Sequence, residues 1–239
     1  MKNLIKAFVF GGIAISFFSC TEKKDANNSG EKGVFTSMVN RLNKNQKEKL
    51  KAEDYMKWLE SDDNGIKINK KIGELTFTSL YKPYEYLSLK ELKSTKIDKK
   101  ALEEKIQEYS GMQYFTFRIS AEGQSQELLK LNVSTENEYA SRIEYFSFNM
   151  QKDLKLIDGT DTLDCSLFHF ERVYGLAPYA TFVLGFPLTK EEQHTDLLNK
   201  ETAYKDKTLF YADQVFGSGS VYMTTKAESL NSLPELITN

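Results

Sequence analysis

MQYFTFRIS, residues 112–120, decides the fold. Side chains alternate between the two faces of an extended chain, so Phe115, Phe117 and Ile119 share one face. Tyr114, Thr116, Arg118 and Ser120 share the other. One apolar face and one polar face predict an antiparallel sheet with one side on the core and one toward water. Immediately upstream, residues 98–109 read as a helix. Asp98 is a good N-cap, Leu102, Ile106 and Tyr109 fall on one side, and Gly111 closes the end.

Further upstream, Pro83 can open a helix that runs to residue 92, since a first-turn proline forfeits no internal hydrogen bond. Residues 66–81 carry strands, with Leu75 and Phe77 alternating with Thr76 and Thr78. Residues 62–65 (DDNG) are a turn, marked by Asn64-Gly65. Before it, residues 34–60 read as helix. Phe35, Met38, Val39 and Leu42 give one apolar face, residues 43–51 are polar and solvated, and Tyr55, Met56 and Leu59 resume the apolar side. Trp58 is expected in the core or at a docking contact.

Downstream, residues 124–131 suggest a short helix. Thr135 and Glu138 form a capping box that opens another. Tyr139, Ile143, Phe146 and Met150 fit one helical face, but residues 144–149 also alternate, so the start reads as helix and the end stays open between helix and strand. Residues 163–174 and 179–188 read as two strands, the second with Ala180, Phe182, Leu184 and Phe186 on a common face. Strands are also expected at 208–213 and 220–225, and a turn or short helix at 226–236. Residues 217–220 (GSGS) lack the lysine and helix start of a phosphate loop, and read as a loop between strands. The sum is an α+β fold: N-terminal helices packed on a mostly antiparallel sheet, in a single domain over residues 34–239.

Composition agrees with a globular body. Hydrophobic residues are 40%, charged residues 28% and the formal net charge −2, so no basic surface for a nucleic-acid partner is expected. The 16 Phe and 13 Tyr favour sheet.

The first twenty residues carry a separate message. Lys2 and Lys6 precede an apolar run from Ala7 to Phe18, and no acid appears before Glu22. The run is shorter than the roughly 20 residues a spanning helix needs. The order of charged start, apolar middle and small-residue exit is that of an export signal. The exit, Phe17-Phe18-Ser19-Cys20, resembles the lipobox of bacterial lipoproteins, in the loose, phenylalanine-tolerant form typical of Bacteroidota. Phe17 stands where leucine is usual. The resemblance implies a signal peptide over residues 1–19, an acylated Cys20 as mature N-terminus, and the lipid bilayer as partner through that cysteine. Residues 20–33 then form a polar tether spanning about 20 Å by random-coil scaling. The implied location is the outer-membrane lipid layer, facing either periplasm or surface, with an envelope protein as a further partner.

The second cysteine, Cys165, has no partner in the chain if Cys20 is acylated. It lies in the stretch richest in reactive groups, residues 164–172 (DCSLFHFER). On a strand, Cys165, His169 and Glu171 share a face, but residues four apart stand ~13 Å apart, too far for a Cys–His dyad. His169 and Glu171 are close enough to act together, which keeps an envelope hydrolase open as the alternative to a binding or accessory role. A structural zinc site needs four Cys/His ligands, and only His194 remains as a second histidine, so no metal or cofactor is expected. Asp158, Asp161 and Asp164 lack calcium-loop spacing and read as solvated turn acids. Asp161-Thr162-Leu163 resembles the short O-glycosylation motif of Bacteroidota envelope proteins, which implies Thr162 as a glycan acceptor.

Overall fold

Five α-helices and eleven strands form among the described residues. In chain order they are β1 (Lys49–Leu50), α1 (Ala52–Glu60), β2 (Lys67–Ile72), β3 (Leu75–Lys82), α2 (Tyr84–Leu92), α3 (Lys99–Tyr109), β4 (Met112–Ala121), α4 (Glu136–Glu144), β5 (Leu154–Asp158), β6 (Asp161–Asp164), β7 (Leu167–Glu171), β8 (Tyr179–Pro187), β9 (Lys207–Ala212), β10 (Ser220–Thr225), α5 (Ala227–Asn231) and β11 (Glu235–Leu236). The structure is a computed structural model that describes residues 47–93, 97–121, 123, 126–172, 177–192 and 203–238. The signal, Cys20, the tether and the first part of the helix expected over 34–60 lie outside these residues. So does His194. No helix among the described residues is long and apolar enough to cross a membrane.

β4 is the middle strand of a five-stranded antiparallel sheet ordered β2-β3-β4-β8-β7. Its expected alternation is present: Phe115, Phe117 and Ile119 are buried, and they register against Leu184, Phe182 and Ala180 of β8, which are buried too. A second antiparallel sheet runs β10-β9-β5-β6. Tyr211 of β9 reaches from it toward the first, its ring 5.4 Å from Phe117 and 6.4 Å from Phe77. The core is therefore an aromatic layer between two sheets. Each fully buried Phe in it stabilises the fold by about 1.5–3 kcal/mol, and each ring pair adds about 0.5–1.5 kcal/mol.

The α+β class holds, with two departures from the expected layout. Strands dominate, in two principal sheets rather than one, and the helices are not all N-terminal: α4 and α5 lie in the second half of the chain. α4 forms where it does because its cap is complete. Thr135 Oγ1 accepts from the Glu138 N–H at 3.2 Å, and Glu138 Oε2 accepts from the Thr135 N–H at 3.2 Å. The Asp98 cap of α3 accepts from the Ala101 N–H at 2.9 Å.

Three segments differ from the sequence reading, each for a tertiary reason, and one that it left open is decided. Residues 49–50 are strand, not helix, because they pair in parallel with Glu235 and Leu236, which themselves are strand rather than turn. Of the short helix expected over 124–131, the described residues 126–131 hold a 3-10 turn at Leu128–Lys130. The open end after α4 is neither α-helix nor strand but a π turn, Tyr145–Asn149, which sends Phe146 into the core and leaves Phe148 74% exposed. The single strand expected over 163–174 is broken at Cys165 and Ser166. There the chain leaves one sheet for the other: β6 pairs with β5, β7 pairs with β8, and the Ser166 N–H donates to Gly185 O at 2.9 Å.

Candidate functional site

β7 is an edge strand of the five-stranded sheet. Phe168 and Phe170 turn inward to stack on Phe182, at 5.7 and 5.1 Å, so His169 and Glu171 stand together on its exposed side. Their cross-strand neighbours are Val183 and Thr181. The pair thus occupies a strand surface rather than a cleft. Cys165 does not share that face. It is buried in the crossover between sheets, where its Sγ donates to Leu167 O at 3.1 Å. Burial pushes its thiol up to about 12. A thiol in that state is a poor nucleophile. Iodoacetamide at pH 8 is expected to leave Cys165 unmodified in the folded protein and to alkylate it fully in urea, as read by mass. Rapid alkylation without denaturant would contradict this placement.

Thr162 is exposed on β6, the edge of the second sheet. Of the three aspartates, Asp161 and Asp164, the first and last residues of β6, are exposed as expected. Asp158 is a correction: it is not a solvated turn acid but sits on the inner face of β5, 1% exposed. Lys207, 0% exposed on β9, donates to Asp158 Oδ2 at 2.5 Å and to Glu192 Oε1 at 2.8 Å. Gln113 of β4 adds donations to Asp158 Oδ2 at 2.8 Å and Glu192 Oε2 at 3.1 Å. Thr189 closes the set, its N–H and hydroxyl both donating to Glu192 Oε2. Burial holds the Asp158 carboxyl above the usual carboxylate range, although Lys207 pulls it down. For Glu192 burial pushes up, but Lys207 and Thr189 outweigh it and hold the group low. Lys207 and Asp158 are thus buried at the end of the core, and the Glu192 side chain, 25% exposed, is the member of the cluster nearest water. No group of three or more metal-ligating side chains is gathered among the described residues.

An open cleft of about 370 Å³ lies elsewhere, between the β2–β3 turn, the segment at Leu131 and Asn132, α4, and the loop from β9 to β10. Asp213 builds that loop. Its carboxylate accepts from the N–H groups of Val215 at 2.9 Å, Phe216 at 3.0 Å and Ser218 at 2.7 Å. Gly217 takes φ +76°, a conformation that a side chain would strain. The loop so formed presents the Phe216 ring to Arg142 of α4, whose guanidinium lies 5.0 Å from the ring centroid. Arg142 Nη1 donates to Leu131 O at 2.6 Å and Leu129 O at 3.2 Å. Burial pulls this guanidinium below the usual arginine range, with Glu138 and Asp213 opposing, and it stays protonated regardless.

Neither Arg142 nor the charge cluster was singled out by sequence reasoning. The capping box did place α4, and so the turn that bears Arg142. Nothing local tied Arg142 to Phe216, which arrives from a loop far along the chain.

No family model matches the chain, and no curated protein matches it. Among solved structures it is similar to a crystal structure of a novel protein of unknown function from Burkholderia pseudomallei, at 12% identity and a TM-score of 0.34, over 77% of this chain and 93% of that one. At that score the likeness carries no inference.

Proposed function

We propose that the chain is a lipid-anchored protein of the outer membrane, held by acylated Cys20, whose folded body acts by binding, as an accessory component of an envelope assembly. The observation that carries the binding role is the cleft at Arg142: a charged group on rigid backbone acceptors, in a concavity of small-molecule size. The layout of residues 1–20 supports the anchor. Two or more acyl chains hold a soluble body firmly, at roughly 0.8 kcal/mol per buried CH₂.

The alternative, a hydrolase using His169 and Glu171, has less support. A general acid–base pair works best in a concave site with a third polar group to orient it, and these two stand on the exposed side of an edge strand. Thr162, exposed on β6, is accessible enough to carry the proposed glycan.

Cells fed an alkyne analogue of palmitate provide the test. The wild-type protein is expected to take up label, and Cys20→Ser is expected to take up none at equal expression. Labelling of the Cys20→Ser protein, or none of the wild type, overturns the anchor.

A further inference from the structure

We infer that the Arg142 cleft binds a small monoanionic carboxylate with an apolar body; this rests on the reading of the folded body as a binding module. Arg142 Nη1 is committed to two backbone carbonyls, which fix the plane of the guanidinium. The Phe216 ring supports one face. The remaining donors, Nε and Nη2, have no partner among the described residues, and no acid there lies within ion-pair distance. Two N–H groups in a fixed fork match the two oxygens of a carboxylate.

Charge around the cleft selects among anions. Glu138 and Asp213 are near enough to act on Arg142 electrostatically, and both are committed elsewhere: Glu138 to the cap of α4, Asp213 to its loop. Glu74 adds a third acid to the cleft wall. One arginine facing this background favours a single negative charge over the double charge of a phosphate. Ile72, Leu75, Leu131, Val215 and Phe216 give the rest of the wall an apolar character, which an acyl or leucine-sized body fits.

The test uses the purified full chain in detergent micelles, with N-acetyl-L-leucine, N-acetyl-L-leucinamide and inorganic phosphate as probes and amide NMR shifts as the readout. N-Acetyl-L-leucine is expected to shift the Phe216, Gly217 and Ser218 amides saturably. The amide probe and phosphate are each expected to bind at least about tenfold more weakly, since each lacks either the charge or the fit. Arg142→Gln is expected to lose a similar factor, and Arg142→Lys, which keeps charge but not the fork, part of it. Because Arg142 also ties down Leu129 and Leu131, the comparison of acid with amide on the wild-type protein stands even if a variant folds poorly. Equal binding of acid and amide, tighter binding of phosphate, shifts confined to other residues, or no saturable shift at all would overturn the inference. None of those results touches the acylation of Cys20, which palmitate labelling reads separately.

Discussion

Lys207→Met is expected to destabilise the protein by about 3–5 kcal/mol, the usual consequence of removing one partner from a buried ion pair. Lys207 and Asp158 are 0% and 1% exposed, so water cannot replace the missing ammonium. What remains is the Asp158 carboxylate with Gln113 as its donor, and Glu192, whose Oε1 loses the ammonium while Oε2 keeps Gln113 and Thr189. The Gln113 Oε1 already lacks a partner, so the site has no spare donor to offer. The paired change Asp158→Asn with Lys207→Met removes both charges, and is expected to recover most of the loss. Urea denaturation reads both, as a fall in midpoint with little change in slope. If Lys207→Met shifts stability by less than about 1 kcal/mol, the ammonium does not sit in the core and the cluster is misassigned.

Phe182→Ala has an expected cost of similar size, about 3–5 kcal/mol, from lost transfer energy plus the cavity left behind. Phe182 is fully buried at the point where β4, β7, β8 and the π turn meet. Its ring lies 6.0 Å from Phe117, 5.4 Å from Phe146, 5.7 Å from Phe168 and 5.1 Å from Phe170. Four rings lose a neighbour at once, and they belong to three elements, β4, β7 and the π turn, that cannot close the gap together. Phe182→Leu keeps most of the volume and is expected to cost less than about 1.5 kcal/mol. Phe148→Ser, on the same π turn but exposed, is expected to stay within about 0.5 kcal/mol of wild type. Calorimetric or denaturant stabilities that rank Phe148→Ser as the worst of the three would put the wrong phenylalanine inside.

What was legible in the residues was whatever local chemistry determines. The alternation of Phe115, Phe117 and Ile119, the Asp98 cap and the Thr135–Glu138 box each specify their element within a few positions, and each is present. What failed depends on residues far away. Leu163 to Phe170 alternates well enough to look like one strand, and the break at Cys165 and Ser166 exists only because Gly185 belongs to a different sheet from β5. Asp158 sits in a stretch rich in turn residues, and its partner Lys207 lies 49 positions on. Residues 49–50 are polar enough to look solvated, yet pair with the other end of the chain. The cleft has the same origin: its wall is assembled from four separate segments, and the residue that shapes its loop, Asp213, acts through backbone N–H groups that have no sequence signature.

The anchor is the claim on which the proposed role depends, and intact mass spectrometry of the protein purified from its own membrane reads it directly. The predicted result is a chain that begins at Cys20 and carries the added mass of a diacylglyceryl group and an amide-linked acyl chain, with any hexose increments mapping to the peptide that contains Thr162. A chain that begins elsewhere, or an unmodified Cys20, would contradict it.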